Sequence, residues 1–455
     1  MKFDIAIIGG GPGGYTAAEK AAKAGRSVVL FEKEDLGGTC LNRGCMPTKA
    51  LLHSAETYAA LGHAQDLGVQ AQEIHYDFAA MHQRKDQVVA TLRQGVEKLM
   101  KASKVTVVAG QACIQEAGLV TCQGETYEVG DIIIATGSQV SYPPIPGLRL
   151  PGVYNSRDIL EGGGQNFASL VIVGGGVVGV ECATLYRCLG CEVTMLEAAD
   201  HILPFMDREI AQRLTMILKK QGVKVEAKAS VQKIEGTPGA MTVTYTDKKG
   251  TEHTVTAQGV LAAAGRKANL EGLFGPDFSL ELDRGGIVGD ADGRTSVPHV
   301  YVIGDAKARN IQLAHVASAQ GENAVAAILG QKPALDLSVV PSCVYTNPEI
   351  ASVGLTEEGA KAAGIPVKTG KYLTGANGKC LIEGTESGYV KLVTDQATGR
   401  ILGAQMVCPR ATDLVGELTL AIQKGITAGE LATVIHPHPT FSEMLFGAAE
   451  SLRPE

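Results

Sequence analysis

Short apolar runs alternate with amphipathic stretches along this chain, and the alternation repeats. Residues 4–8 read DIAII and residues 28–31 read VVLF, with an Ala-rich stretch of helical period between them. Apolar runs of this length, bounded by glycine, predict strands buried on both faces, and the intervening period predicts a helix. The same order returns at 169–197. Further buried strands are expected at IIIATGS (132–138), LAAAGR (261–266) and VYVIGDA (300–306), each meeting a glycine. The segment beyond residue 341 differs: YVKLVTD and ILGAQMV alternate apolar with polar positions, and an amphipathic helix is expected around 412–425. SYPPIPGLRLPG (141–152) and the proline-containing stretch near 333–341 read as links.

The repeat is close. DIAIIGGGPGGYTAAEKAAKAGRSVVLFE (4–32) and SLVIVGGGVVGVECATLYRCLGCEVTMLE (169–197) share a strand, a GxGxxG turn, a helix, a second strand and a terminal Glu. From Gly9 to Glu32 is 23 residues, as from Gly174 to Glu197. Gly9 and Gly174 permit the tight turn, Gly11 and Gly176 let a pyrophosphate approach, and Gly14 and Gly179 let helix pack close to strand. Free N–H groups at the helix start face the phosphates, and the Glu accepts from ribose hydroxyls. A lone GxGxxG is weak evidence; two full copies in register predict two bound dinucleotides. Glu197 is followed by Ala198 and Ala199, with no cation to receive a 2′-phosphate, which favours NAD over NADP.

The expected fold class is therefore α/β, with two Rossmann-like dinucleotide-binding domains and a C-terminal α+β domain. The boundaries read as 1–143 for the first unit, 144–266 for the second, 267–335 for a return to the first, and 336–455 for the α+β segment. Glycine, 56 of 455 residues, exceeds the usual ~7% and fits many strand-to-helix turns. A net charge of −7 argues against nucleic acid as the main partner; Lys248-Lys249 before Gly250 reads as a hairpin turn. No apolar run reaches the roughly 18 residues of a membrane span. MKFDIAIIGG enters a strand pattern directly, without a signal-peptide layout, so a cytoplasmic location is expected.

In that compartment ten cysteines do not imply a disulfide framework. Cys40 and Cys45, in GGTCLNRGCMPTKALL (37–52), have four residues between them, which is not a usual zinc spacing, and no metal is expected. In a regular helix, residues five apart lie roughly 8.6 Å between Cα atoms, so a bond between them needs a distorted segment, which Asn42-Arg43-Gly44 could supply. Pro47 suits the first turn of a following helix, where a Cys45 thiolate is favoured by the dipole. Cys188 and Cys191 read as packing residues at a helix end. At the other end of the chain, HPHPTFSE (436–443) places His438 between two prolines and five residues before Glu443. An oriented acid–base pair and a surface turn both fit those residues.

GGTCLNRGCMPTKALL, the two nucleotide units and HPHPTFSE together resemble the pyridine nucleotide-disulfide oxidoreductases, and the resemblance covers almost the whole chain. It implies FAD in the first unit, with Gly9, Gly11, Gly14, Glu32, Lys49, Thr136, Gly137, Asp305 and Ala314 as contacts. It implies NAD in the second, with Gly174, Gly176, Gly179, Glu197 and Gly265. It implies a redox-active disulfide between Cys40 and Cys45, a Lys49–Glu181 pair beside the flavin, and His438 as acid/base with Glu443 as its partner. His436 matches a non-catalytic position. The C-terminal domain would form a homodimer in which His438 serves the cysteines of the other subunit. The implied activity is oxidation of protein-bound dihydrolipoamide by NAD⁺. The lipoyl group would arrive on a partner such as the lipoyl-bearing protein of a 2-oxo acid dehydrogenase or glycine-cleavage system.

A glutathione-type reductase is the alternative within the family, but it places arginines where this chain has Glu197-Ala198-Ala199. Mercuric reductases carry extra C-terminal cysteines, and none follows Cys408. A non-catalytic nucleotide-binding partner protein is a third reading; the intact Cys40, Cys45, His438 and Glu443 stand against it. One departure from the family is Val316-Ala317, where a Lys-Ala pair is common.

Overall fold

The first apolar run forms the strand Lys2–Ile8 in a computed structural model that describes residues 1–385 and 387–453. The last two residues of the expected C-terminal segment lie outside the described residues. The parallel strand order is Thr106–Ala109, Val28–Glu32, Lys2–Ile8, Glu125–Ile134 and Val300–Val302. Two antiparallel strands, Ala112–Glu116 and Leu119–Cys122, extend the sheet beside the first half of Glu125–Ile134. Ile5, Ile7, Leu30 and Ile133 feed one core, while Ala6, Val29, Phe31 and Ile132 feed another across the sheet. Burial on both faces is what a continuous apolar run requires.

The chain leaves this sheet after Ile134 and returns at Val300. Between them it builds a second parallel sheet, ordered Lys224–Ala227, Glu192–Glu197, Ser169–Val173, Gly259–Ala262 and Val153–Tyr154. Three antiparallel strands, Ser230–Thr237, Ala240–Thr246 and Glu252–Ala257, accompany it, and Lys248-Lys249 lies in the hairpin turn of the last two. The link at 141–152 is pinned rather than loose: Ile234 N–H donates to the Pro146 carbonyl at 2.8 Å.

Each parallel sheet reverses its winding beside the first strand of its repeat. The reversal lies between Lys2–Ile8 and Glu125–Ile134 in one, and between Ser169–Val173 and Gly259–Ala262 in the other. The crevice beyond the strand ends at such a point is where open α/β sheets take ligands.

The C-terminal segment is a five-stranded antiparallel sheet: Ser342–Val344, Ile350–Gly354, Ile401–Val407, Tyr389–Asp395 and Val367–Leu373. Helix Ala411–Gln423 covers it with Val415, Leu418 and Ala421, and helix Glu443–Glu450 with Met444, Leu445 and Ala448. The polar residues of YVKLVTD and ILGAQMV are not all at the surface: Lys391, Thr394 and Gln405 are buried. Helix Arg208–Lys220 of the second module closes over that face. Lys391 Nζ meets Asp207 at 2.9 Å and Glu209 at 3.0 Å, so the buried cation joins the two modules.

Replacing Lys391 with Met strands the buried Asp207 carboxylate. Denaturant unfolding should show a loss of about 3 kcal/mol. Lys371→Met, which breaks a more exposed pair with Glu209, should cost no more than about 1 kcal/mol.

Candidate active site

The two glycine turns superimpose in chemistry. Gly9 has φ +108° and Gly174 φ +113°. A Cβ on Gly9 would lie 2.3 Å from the Ala135 carbonyl oxygen, and one on Gly174 would lie 2.4 Å from that of Ala263. A Cβ on Gly14 would strike the Gly9 oxygen at 1.8 Å, and one on Gly179 the Gly174 oxygen at 2.0 Å. Gly11 and Gly176 are different: a Cβ on the first meets nothing nearer than 3.8 Å, and on the second nothing within 4 Å. The outer glycines are thus required by packing, and the middle ones leave open approach to the helix starts at Pro12 and Val177.

The terminal acids do more than the sequence suggested. Glu32 Oε2 accepts from Gly10 N–H at 2.7 Å and its Oε1 from Glu34 N–H at 2.8 Å. Glu197 repeats this with Gly175 and Ala199, both at 2.6 Å. Each acid clasps its own glycine turn. Burial pushes the Glu32 carboxyl above its ordinary range, against the pull of the Gly10 donor.

Asp305 lies in the short turn Gly304–Ala306 after Val300–Val302. Its carboxylate accepts from Ser138 Oγ at 2.5 Å, and Arg266 Nε donates to that same hydroxyl at 2.8 Å. Gly137 (φ +68°) and Gly265 (φ +101°) turn the chain beside these residues. Ala314 opens the helix Ala314–Ile328. In that helix Val316 is buried, and the Ala317 oxygen lies 2.9 Å from where a Gly13 Cβ would be. The Val-Ala departure therefore sits in a close helix-to-helix contact.

Cys40 and Cys45 form a disulfide with their Cα atoms 4.6 Å apart. The required distortion is at Gly44 (φ −142°, ψ −105°), where helix Gly38–Arg43 stops and helix Cys45–Gly62 starts. A Cβ on Gly44 would lie 2.9 Å from the Thr39 oxygen. Cys40 opens on a pocket of about 250 Å³, lined also by Pro12, Tyr15, Leu41, Met46, Leu92, Gly95, Val96 and Leu99.

One turn into the second of these helices, Lys49 Nζ binds both Glu181 oxygens, at 2.8 and 2.7 Å. Glu181, in helix Val177–Cys188, is only 4% exposed. Tyr345 N–H donates to the same carboxylate at 3.1 Å, and Lys49 sits 4.5 Å over the Tyr345 ring. Tyr345 gave no signal in the sequence, because its contribution is a backbone donor.

His438 Nδ1 lies 2.9 Å from Glu443 Oε1, and Thr440 N–H donates to Glu443 Oε2 at 2.9 Å. The Thr440 donor, then His438, holds the Glu443 carboxyl below its ordinary range. The His438 side chain is 78% exposed. Among the described residues no hydrogen bond or ion pair joins it to the disulfide segment. His436 is instead buried against Glu417, with Nε2 at 3.1 Å from Oε1.

The family model for pyridine nucleotide-disulphide oxidoreductases matches residues 3–321, and the model for their dimerisation domain matches residues 340–449. The chain belongs to this family. It is 39% identical to a dihydrolipoyl dehydrogenase of Bacillus subtilis, over 99% of this chain and 96% of that one. It is also 39% identical to one of Mycoplasma pneumoniae, over 98% and 97%. Among solved structures it resembles the HOCl-induced flavoprotein disulfide reductase RclA of Escherichia coli, at 29% identity and TM-score 0.87, over 99% and 100% of the two chains. LpdA of Mycobacterium tuberculosis aligns at 27% identity and TM-score 0.89, with the same coverage. The protein is thus an oxidoreductase with FAD and NAD as its dinucleotides, and it carries the family's dimerisation domain.

The residues present fit two such groups. Gly176 fronts open space, Gly11 meets only the Gly38 backbone at 3.8 Å, and Thr136 Oγ1, beside the first turn, is buried with no partner among the described residues. No cluster of His, Cys, Asp or Glu among the described residues could hold a metal ion. No helix of the described residues is long and apolar enough to cross a membrane. Cys188 and Cys191 are unpaired, and burial pushes both thiols up to about 12, which suits packing.

Gly179→Ala should separate the two cradles. Its Cβ would push on the Gly174 turn, so kcat/KM for NAD⁺ should fall on the order of 10²-fold. The flavin absorbance per chain should stay at the wild-type value.

Proposed function

We propose that this protein oxidises dihydrolipoyl groups carried by a partner protein and passes the electrons to NAD⁺. The observation that carries this reading is Cys40, disulfide-bonded to Cys45 and lining a pocket whose other walls are Pro, Tyr, Leu, Met, Gly and Val. A lipoyl arm is an apolar chain ending in two sulfurs, and such walls suit it. Glutathione disulfide is charged, and no Lys or Arg lines this pocket. The near-full-length likeness to dihydrolipoyl dehydrogenases supports the same substrate.

We assign residues 1–143 and 267–335 to FAD, 144–266 to NAD and 336–455 to the dimer contact. Gly9, Gly11, Gly14 and Glu32 cradle FAD, with Lys49, Thr136, Gly137, Asp305 and Ala314 completing its site. Gly174, Gly176, Gly179, Glu197 and Gly265 receive NAD.

The chain's own residues handle the sulfur chemistry. His438 takes a proton from one substrate thiol, and Glu443 orients the ring and balances its charge. The substrate thiolate attacks Cys40; the Cys40–Cys45 bond breaks, a substrate–Cys40 disulfide forms, and Cys45 leaves as a thiolate. That thiolate sits at the first position of helix Cys45–Gly62, where the dipole favours the anion. The second substrate thiol displaces Cys40 and closes the lipoyl ring; the imidazolium gives its proton to the departing Cys40 sulfur, which ends as a thiol, and takes up the proton of that second thiol. Two electrons then reside on the Cys40–Cys45 dithiol. FAD bound in the first cradle would supply the conversion of that electron pair into a hydride for NAD⁺. Lys49 and Glu181 hold opposite charges at the start of this helix and keep it against the second module. Because His438 is exposed and apart from its own chain's disulfide, it serves the cysteines of the second subunit in a homodimer.

The substrate partner is the lipoyl-bearing protein of a 2-oxo acid dehydrogenase or glycine-cleavage system. Eight unpaired cysteines suit a reducing compartment, the cytoplasm.

The test is NAD⁺ reduction by dihydrolipoamide, run beside NADP⁺ and beside NADPH with glutathione disulfide. Preference for the last pair overturns the substrate assignment. Cys45→Ser should abolish dithiol turnover while the protein stays yellow; full activity would end the relay.

Glu443→Gln removes the carboxylate that orients the His438 ring. The rate of NAD⁺ reduction by dihydrolipoamide should fall by about 10²-fold.

A further inference from the structure

Two residues enclosed by the disulfide, Asn42 and Arg43, are held from outside. Asn42 is buried; its Nδ2 donates to the carbonyls of Leu36 and Gly38, both at 3.0 Å, and its Oδ1 accepts from Arg93 Nε at 3.0 Å. Arg93, from helix Phe78–Ala102, also meets Asp35 at 3.0 Å. Arg43 is 12% exposed along its side chain and pairs with Glu34 and, by charge rather than by an aligned hydrogen bond, with Glu161, whose Oε1 lies 3.1 Å from Nε. Arg157 binds the same two acids, Glu161 at 2.7 Å and Glu34 at 3.2 Å. The four side chains close a ring of alternating charge: Arg43, Glu34, Arg157, Glu161.

The ring spans three parts of the molecule. Glu34 follows the strand Val28–Glu32, and its N–H is, with that of Gly10, one of two donors to the Glu32 carboxylate. Arg157 lies in helix Ser156–Leu160 and Glu161 just past its end, in the segment that starts the second nucleotide module. Arg43 ties both to the four residues between the two cysteines. The guanidinium meets Glu34 through Nη1 and Glu161 through Nε; the single nitrogen of an ammonium does not reproduce that planar fork.

We propose that Arg43 is a positioning residue for thiol exchange, its ring with Glu34, Arg157 and Glu161 holding the opened Cys40–Cys45 loop ready to close again. This rests on the dithiol–disulfide reading above. The loop hinges at Gly44, between two helices, so an opened disulfide gains freedom unless the loop is clamped. The clamp keeps the local concentration of one sulfur at the other high and favours the closed form. The ring carries two charges of each sign, so its effect is geometric rather than a net field on the thiolate.

The inference makes Glu161, which lies on another element and outside the loop, a determinant of the redox equilibrium. Holoenzyme, Arg43→Gln, Glu161→Gln and the double variant are equilibrated anaerobically in mixtures of dihydrolipoamide and lipoamide. Thiols are then alkylated, and the peptides bearing Cys40 and Cys45 are weighed. Arg43→Gln should shift the equilibrium toward dithiol on the order of tenfold, about 30 mV for this two-electron couple. Glu161→Gln should shift it the same way by about threefold, and the double variant should match Arg43→Gln. Arg43→Lys should not restore the wild-type value.

Wild-type titration by both single variants, or shifts that simply add, would overturn the proposal. If Arg43→Gln does not fold, Glu161→Gln alone decides. Repeating the series with dithiothreitol separates the claims: a wild-type protein reduced by dithiothreitol but not by dihydrolipoamide sinks the substrate reading and leaves the clamp testable.

Discussion

The carboxylate of Glu181 sets the terms for the assembly. Burying an unpaired carboxylate costs several kcal/mol even after relaxation. Here the compensation comes from two other modules: the Lys49 ammonium from the helix after the redox loop, and the Tyr345 N–H from the C-terminal sheet. Neither donor is local to helix Val177–Cys188. The charge is tolerable only when all three modules stand in this arrangement. The apolar core around it has the same composition, with Leu51 and Leu52 from the first module, Val180 and Tyr186 from the second, and Val344 and Tyr389 from the third. One polar contact therefore fixes the register of a surface that apolar packing alone would leave free to slide.

That arrangement explains why the duplicated nucleotide motif yields two working crevices rather than one repeated fold. In each sheet the outer glycines are excluded from bearing a Cβ by carbonyls 1.8 to 2.4 Å away, contributed by the turn itself and by the end of the neighbouring strand. The same two contacts thus shape both crevices, and what distinguishes them is their surroundings. The first has the disulfide segment packed beside it, with Gly38 facing Gly11. The second has the loop after Glu197, whose Leu203 N–H donates to the Gly175 carbonyl at 2.8 Å.

Much of this was legible in the sequence because the signals are local. The glycine spacing, the Cys-x4-Cys stretch with its need for a break, and the His–Glu offset each depend on residues within one turn or loop. The break fell at Gly44, the smallest residue of the three expected to supply it. What escaped is non-local. Tyr345 acts through its backbone, Ser138 and Arg266 meet Asp305 only once distant strands pair, and Arg43 finds Glu161 across 118 positions of chain. The burial of Lys391 was hidden for a related reason: a polar residue opposite a core face signals solvent unless another module supplies its counter-charge. Asp207 does that for Lys391.

The distribution of thiols completes the logic of an electron path. Exchange requires thiolate, and a thiol kept protonated is a poor partner. Burial pushes Cys182, Cys188 and Cys191 up to about 12 and Cys343 to about 11, and holds Cys408 higher still. Cys182 is the telling case, because it adjoins Glu181, whose charge adds to the effect of burial. A reactive sulfur there would compete for the electrons that Cys45 must hold. Burial first, and then the carboxylate that binds Lys49 and unites three modules, keep this thiol of the same helix protonated, while the disulfide at the start of helix Cys45–Gly62 opens on its pocket.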